Sequence, residues 1–453
     1  MHKVALEISS LHGRQVQIES LLNARDWEDF QVQVDPLGID EVQTLIGDED
    51  IVIEYSLGSR HSYLWAISKA GFSSYVLPSE SEIELLVRQF RQALVSPGIH
   101  AMPEVANFAG KPGSEEVLAA ELGRVLLEPV TDLSRFRRIV LVADGALQYL
   151  PFGALITKQG GQGSSPEIKR VAQEHEVTNL PSMTTLSVLR SRQNSSGLPR
   201  RGLLMFADPV FESDDPRIEP VGYRRSQGRA LTKPVGTIPD AGDLSTTTRH
   251  FPRLPGTRQE ADVIGEVVPK QSAEILLGFE ANLRRAESEE LQNYRFIHFA
   301  THSVLDDEHP ELSGVILSMF NHDGNHEDGY LRLKDIYRLK LSAEFVVLSA
   351  CETALGKNIK GEGIVGLTRG FMYAGAPSVV ATLWRVDDDA TSEFMKWFYK
   401  GIFEHHETPA AALREAQIEM CKQARWRSPY YWGAFIIEGD WLSTDGRVTN
   451  IPK

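Results

Sequence analysis

The chain has 453 residues, enough for two or three domains with large hydrophobic cores. Its formal net charge of −15 disfavours direct binding to nucleic acid and suits a soluble protein or one with basic partners. No apolar run is long enough to span a membrane, and no signal peptide begins the chain. Two cysteines, Cys351 and Cys421, provide no disulfide framework, so we expect a reducing cytoplasm.

The N-terminal part predicts a small α/β unit. Residues 1–45 are amphipathic and predict a helical segment. Three β-like runs follow between residues 51 and 77, and the turns that separate them predict an antiparallel meander. Ser79 and Glu82 have the spacing of a capping box and precede one apolar stripe, which predicts a helix. A second helix near residues 114–127 and a buried strand near 138–143 complete a domain that we place at 46–198.

A polar stretch then interrupts the pattern. It predicts a linker near residues 190–200 and a long loop at about 212–252, with one strand between them. Loops of this length are usually functional or disordered. The loop carries the dibasic pair Arg224 and Arg225, which is a candidate site of autoprocessing.

Strands and helices alternate over the remaining chain, which we assign to a second domain at 199–453. This alternation predicts an α/β fold with a mostly parallel, six-stranded sheet, in which ligands bind beyond the carboxyl ends of the strands. Thr257 and Glu260 have capping-box spacing and predict the start of a helix. The predicted strands are 202–207, 273–277, 295–300, 345–349, 378–383 and 434–437. The predicted helices are 257–267, 281–291, 364–374, 390–403 and 409–424.

Cys351 lies at the carboxyl end of one predicted strand and is followed by a glycine-rich loop at 356–363. A thiol in this position can act as a nucleophile, and the glycines let backbone approach a substrate. The alternative is an inert packing residue, which is the commoner role of cysteine. Cys421 lies inside a predicted helix and is interpreted as structural.

His302 follows another predicted strand about 50 residues before Cys351, the spacing of the caspase signature. A structural histidine is the alternative. Together the two residues predict a cysteine protease. The thiolate attacks a peptide carbonyl and His302 protonates the leaving amine. The backbone N–H groups of Ser303 and Cys351 are the candidate oxyanion donors.

Three consecutive carboxylates, Asp387, Asp388 and Asp389, follow the predicted strand at 378–383. They form either a helix N-terminal cluster or a pocket for a basic substrate side chain.

Several histidines between residues 298 and 326 invite a zinc hypothesis, but no HExxH or CxxC motif is present, so we expect neither metal nor cofactor.

Several motifs together resemble one family. They are ADGALQYLPF at 143–152, LPGT at 254–257 with Glu260 and Ala261, HFATH at 298–302, LSACET at 348–353, GEG at 361–363, LWRVDD at 383–388 and PYYWGAF at 429–435. This combination resembles the CHAT family of caspase-like and separase-like cysteine proteases, which are often attached to tetratricopeptide repeats. The resemblance implies a three-layer caspase-like fold, a His302–Cys351 dyad, and an inactive caspase-like half at 46–198. It also implies a protein substrate, an activating sensor or partner, and a role in cell death or antiviral defence.

One position departs from the family pattern. Relatives of this clan usually carry glycine directly after the histidine, where this chain has Ser303. The N–H survives, but a side chain enters the cleft.

Two alternative functions stay open, because a fold does not imply a function. They are a non-catalytic scaffold that binds partners, and a hydrolase or transferase that uses the same dyad on a non-peptide acyl group.

Overall fold

A computed structural model describes residues 37–95, 114–160, 167–193, 201–218, 250–305, 312–349 and 363–442. The chain divides into two compact units, Met1–Leu37 with Tyr223–Phe251 and Gly38–Gly222 with Pro252–Lys453. Leu37, His250 and Phe251 are the described residues of the first unit, so the account below concerns the second. Most of the predicted segment at 1–45 and of the loop at 212–252 lies outside the described residues, as do Arg224, Arg225 and Cys351.

An eleven-stranded sheet organises the second unit, in the order β3-β2-β1-β4-β7-β16-β15-β14-β10-β8-β9. Its strands are β1 (Asp50–Ser56), β2 (Ser62–Ser68), β3 (Gly71–Leu77), β4 (Arg138–Val142), β7 (Glu176–Asn179), β8 (Arg201–Ala207), β9 (Ala273–Leu277), β10 (Tyr294–Ala300), β14 (Phe345–Leu348), β15 (Ser378–Thr382) and β16 (Phe435–Gly439). Two small sheets accompany it, built from β5 (Ile156–Gly160) and β6 (Glu167–Arg170), and from β11 (Ser303–Val304), β12 (Gly314–Ile316) and β13 (Tyr330–Arg332).

The meander prediction is confirmed, because β1, β2 and β3 pair antiparallel in sequence order. Strands β1, β4 and β7 pair in parallel beside it. In the other half of the sheet, β9, β8, β10, β14 and β15 are all parallel, and β16 joins them antiparallel. These six strands form the predicted mostly parallel sheet. A single parallel bridge between β16 and β7 makes the two halves one sheet.

Helices cover both faces of the sheet, which gives three layers. The helices are α1 (Ile39–Leu45), α2 (Glu80–Val95), α3 (Ser114–Leu126), α4 (Val171–Glu174), α5 (Met183–Gln193), α6 (Pro255–Val267), α7 (Leu283–Ala286), α8 (Leu333–Ile336), α9 (Gly363–Tyr373), α10 (Asp388–Phe403), α11 (Pro409–Lys422) and α12 (Pro429–Trp432). On one face of β10, Ile297 and Phe299 pack with α9 in the main apolar core. On the opposite face, Phe296 meets Phe403 of α10. In the described part of the chain, no helix is long and apolar enough to cross a membrane.

Two local predictions are wrong. The helix predicted at 281–291 is interrupted: Asn282 caps the short α7, and Ser288 caps a separate 3₁₀ turn at Glu289–Asn293. The capping box of Thr257 and Glu260 does not form, because α6 begins two residues earlier with a proline in its first turn. Half of the capping box predicted at Ser79 forms: its backbone N–H donates to the Glu82 carboxylate at 3.0 Å, and its hydroxyl donates to the same carboxylate.

Candidate functional site

The two candidate catalytic positions follow neighbouring strands. His302 lies two residues beyond β10, and Ser349 lies one residue beyond β14. Because β10 and β14 are adjacent and parallel, both chains leave the sheet at the same edge. Cys351 follows Ser349 by two residues and lies outside the described residues, as does the glycine-rich loop up to Glu362.

The imidazole of His302 has a defined orientation. Its Nε2 lies 2.8 Å from the carbonyl oxygen of Pro252. A carbonyl only accepts hydrogen bonds, so Nε2 carries the proton in this contact and Nδ1 is the basic nitrogen of the neutral ring. The ring of Phe211 packs against the imidazole at 5.0 Å between centroids. His302 is 2 % exposed.

An ion pair beside Pro252 holds this orientation. The guanidinium of Arg253 donates to both carboxylate oxygens of Asp208, at 2.8 and 2.7 Å. Asp208 follows β8, is 1 % exposed, and its backbone N–H donates to the hydroxyl of Thr257 in α6. A bidentate pair of this kind fixes direction as well as distance. The end of β8 therefore positions the segment whose carbonyl orients His302.

A buried polar cluster lies between the sheet and two helices. Glu260 of α6 accepts a hydrogen bond from the hydroxyl of Ser349 at 3.1 Å through Oε2. Its Oε1 lies 3.1 Å from Nε2 of His298, without the alignment of a hydrogen bond. Nδ1 of His298 lies 3.1 Å from the hydroxyl of Tyr399 in α10. Burial, and then the charge of Glu260, hold the pKa of Tyr399 well above its usual value. Oε1 of Glu260 and Nε2 of His298 thus lack a hydrogen-bond partner, and unpaired buried polar atoms are energetically costly.

A small cavity adjoins this cluster and His302. It has about 40 Å³ of space, which is room for a few water molecules. Its lining includes two acidic residues, Glu260 and Asp388, and one basic residue, Arg385. Burial raises the pKa of Asp388, the charge of Arg385 opposes this, and the charges of Asp387 and Glu260 add to it. The remaining lining residues in the described part are Leu254, Gly256, Thr257, Ser349, Val386 and Thr391.

The three consecutive aspartates separate into different environments. Asp387 caps α10, because its carboxylate accepts from the backbone N–H of Ala390 at 3.1 Å. Asp389 is exposed and pairs with Arg425 at 2.7 Å and with Gln259 at 3.2 Å. Asp388 is the member of the three that lines the cavity.

The other predicted positions have distinct settings. Ser303 is buried and begins β11, opposite Val315 of β12. Burial raises the pKa of the Cys421 thiol to about 11, which suits an inert thiol in α11. His322 packs against the ring of Phe279, and within the described ranges no group of three or more His, Cys, Asp or Glu side chains is arranged to hold a metal ion.

Sequence reasoning missed the structural roles of Pro252, His298 and Glu260. His298 carried a signal, since it is a polar residue inside an otherwise apolar strand, and a buried polar residue needs partners. Glu260 had a local explanation as a capping residue, and its distant partners leave no mark in local spacing. The carbonyl of Pro252 is a backbone group, so no residue type reveals it.

The structure is a three-layer α/β fold with a mostly parallel sheet, helices on both of its faces, and His302 at the carboxyl edge of the strands. The CHAT domain profile matches residues 116–440, and the chain belongs to the CHAT family. Tetratricopeptide repeat protein 28 of Homo sapiens is 23% identical over 402 residues, which cover 81% of this chain and 14% of that protein. Its counterpart in Mus musculus is 23% identical over 385 residues, which cover 76% of this chain and 14% of that protein. The chain thus spans about one seventh of the length of these relatives.

Two solved structures are similar to the chain at low identity. The Saccharomyces cerevisiae separase–securin complex gives a TM-score of 0.45 at 12% identity and covers 88% of this chain and 30% of that one. The Arg-specific cysteine proteinase gingipain R gives a TM-score of 0.39 at 9% identity and covers 80% of this chain and 76% of that one.

Proposed function

We propose that this chain is a cysteine endopeptidase that uses His302 and Cys351. The Sγ thiolate of Cys351 attacks a peptide carbonyl, and the oxyanion accepts hydrogen bonds from the backbone N–H groups of Ser303 and Cys351. Imidazolium Nδ1–H gives its proton to the leaving amine as the C–N bond breaks. Water then hydrolyses the thioester, with Nδ1 of His302 taking a proton from it.

The observation that carries this proposal is the orientation of His302. Its Nε2–H is committed to the Pro252 carbonyl at 2.8 Å, and this sets Nδ1 as the nitrogen that exchanges protons. The strand next to β10 ends at the same edge of the sheet with Ser349 directly after it, and Cys351 follows two positions later in the sequence.

We propose a basic residue before the scissile bond, and Asp388 supports this preference. Its carboxylate lines the cavity that also contacts His302, together with the second carboxylate of Glu260. The space of about 40 Å³ holds water and not an arginine side chain, and Arg385 already neutralises part of the charge. The pocket must therefore widen on binding, and an incoming guanidinium competes with Arg385.

The same geometry supports regulation. Because the His302 side chain is 2 % exposed, it cannot give a proton to the leaving amine of a peptide until its surroundings move. We propose that an activating sensor or partner protein causes this movement, in a cytoplasmic pathway of cell death or antiviral defence. The partner and the pathway follow from the family resemblance.

The second candidate is a non-catalytic module that binds partner proteins. The burial of the His302 imidazole favours it, since a histidine with no substrate to meet loses nothing by being enclosed. Proteomic identification of new N-termini decides between the two. The endopeptidase proposal predicts cleavage products in extract treated with the wild-type chain that Cys351→Ala and His302→Ala do not make. Identical N-termini in all three samples, with added activating extract, contradict it.

A further inference from the structure

Glu260 contacts both strands that lead to the dyad. Its Oε2 accepts a hydrogen bond from the hydroxyl of Ser349, which directly follows β14. Its Oε1 lies 3.1 Å from Nε2 of His298 in β10. Glu260 is 2 % exposed, and Ser349 is 7 % exposed. A long carboxylate from α6 therefore reaches between two parallel strands at their carboxyl ends.

The helix that carries Glu260 also controls the other side of the site. The segment that leads into α6 contains Pro252, whose carbonyl orients His302. The N-terminal turn of α6 contains Thr257, whose hydroxyl binds the backbone of Asp208 at the end of β8. One helix and its leading segment thus contact the ends of β8, β10 and β14.

The opposite ends of the same two strands offer a matched comparison. Arg295 in β10 and Glu344, just before β14, form an ion pair at the amino ends, where Glu344 is 5 % exposed. Both glutamates are buried, and each pairs with a side chain at one end of these strands, Glu260 with Ser349 after β14 and Glu344 with Arg295 in β10. They differ in lying at the two opposite edges of the sheet.

We infer that Glu260 is a positioning residue for Cys351. By holding Ser349 through a hydrogen bond, it fixes the point from which the chain continues to the nucleophile, while Pro252 fixes His302. This inference rests on the proposed function for its purpose, although its test does not need a peptide substrate. The groups that face Glu260 are Ser349 after β14, His298 in β10, and Tyr399 and Asp388 in α10.

The test is the rate of alkylation of Cys351 by iodoacetamide as a function of pH. The full chain is used in a Cys421→Ser background, so that one thiol is followed by mass spectrometry. Only the thiolate reacts, so the profile reports the pKa that the surroundings impose on Cys351. The variants are Glu260→Ala, Glu260→Gln, Ser349→Ala, His302→Ala and the matched control Glu344→Ala. Thermal melting of each variant measures its fold separately.

We expect Glu260→Ala and Ser349→Ala to slow alkylation at pH 6.5 about tenfold or more, because a displaced thiol loses the imidazolium that stabilises its thiolate. At pH 10, where the thiol ionises unaided, their rates should match the wild-type rate. Glu260→Gln keeps an acceptor for Ser349 and should remain within about threefold of wild type. Glu344→Ala should lower the melting temperature and leave the profile unchanged.

Three outcomes overturn the inference. They are a Glu260→Ala profile that superimposes on the wild-type profile, a Glu260→Gln variant as slow as Glu260→Ala, and a Glu344→Ala variant with the same shift. Failure of the proposed function looks different. In that case His302→Ala leaves the profile unchanged and the inference falls with it, whereas failure of the inference alone leaves His302→Ala slow and Glu260→Ala as fast as the wild type.

Discussion

The Nε2 nitrogen of His302 lies 2.8 Å from the carbonyl oxygen of Pro252. The residue after Pro252 is Arg253, which binds the buried carboxylate of Asp208 through two hydrogen bonds. The carbonyl that orients the imidazole is thus held by an ion pair at the end of β8. The hydrogen bonds to Asp208 also raise the pKa of the Arg253 guanidinium, so the ion pair stabilises its protonated form.

Loss of the ion pair between Arg253 and Asp208 should lower the turnover rate more than it weakens substrate binding. We expect Arg253→Ala to lower kcat on a peptide substrate about tenfold while KM changes less than twofold, because a shifted carbonyl misaligns His302. The control is Arg258→Ala, which breaks an exposed pair with Asp262 on the same helix and should change neither constant. Equal kinetics for the two variants would show that Arg253 does not position the histidine.

Substrate selectivity should depend on Asp388 and not on its neighbour. We expect Asp388→Asn to lower kcat/KM for peptides with arginine before the scissile bond roughly 30-fold or more, and to change leucine peptides little. Asp389→Asn is the matched control, because Asp389 is exposed like Asp388 but pairs with Arg425 and does not line the cavity. A uniform loss on both peptides would argue against a pocket for a basic side chain.

The selectivity should also vary with pH. Burial raises the pKa of Asp388, so its carboxylate takes up a proton at a higher pH than an ordinary aspartate does. The preference for arginine is therefore present above this raised pKa and declines as pH falls through it. Ratios of kcat/KM for arginine and leucine peptides measure this decline, which Asp388→Asn should abolish.

The sequence predicted much of the layered architecture because its signals are local. Alternating strands and helices in 199–453 indicate a mostly parallel sheet, and the structure has one with β16 antiparallel at its border. The order of the strands depends on contacts between distant segments, which local periodicity does not encode. Glu260 illustrates the difference: its spacing to Thr257 fits a cap, but Pro255 begins the helix earlier and the side chain turns inward to Ser349.

The sequence predicted which residues form the candidate site, but it did not predict the contacts that position them. His302 lies at the expected edge of the sheet because a strand end places it there. Asp387 and Asp389 looked equivalent to Asp388 in sequence, and a helix start separated them: Asp387 caps α10, Asp389 pairs with Arg425, and Asp388 lines the cavity. The dyad itself stays a prediction, since Cys351 is outside the described residues.

Stability should fall as pH rises through neutrality because of Glu407. Burial, then a hydrogen bond with Glu415, raise the pKa of Glu407 from 4.5 to about 7. The folded state thus binds the proton more tightly than the unfolded state. Its contribution is complete below pH 4.5 and is lost as pH rises through about 7. His405, whose pKa is raised by Glu415, acts in the same direction.

We therefore expect Glu407→Gln, which mimics the neutral acid, to raise Tm at pH 8 relative to wild type and to change it little at pH 4.5. The control is Glu404→Gln, an exposed position in the same connection between α10 and α11. Melting curves from pH 4 to 9 measure the effect. Parallel curves for wild type and Glu407→Gln would contradict it.

Self-cleavage is expected after Arg224 or Arg225 once the protease is active. The dibasic pair matches the preference that Asp388 suggests. Intact mass spectrometry of the activated chain over several days should find two fragments in the wild type and one species in Cys351→Ala. Replacement of both arginines by alanine should also prevent cleavage. A single species in every sample, under conditions where a peptide is cleaved, would exclude autoprocessing at this pair.

The most direct measurement is covalent labelling of Cys351 by a peptidyl acyloxymethyl ketone that carries arginine next to the reactive group. Cys421 is an internal reference, because its pKa of about 11 leaves roughly one thiol in a thousand ionised at pH 8. The account predicts fast labelling at Cys351 in the activated chain, lost in His302→Ala. Labelling of Cys351 that is as slow as that of Cys421, or that persists without His302, would contradict it.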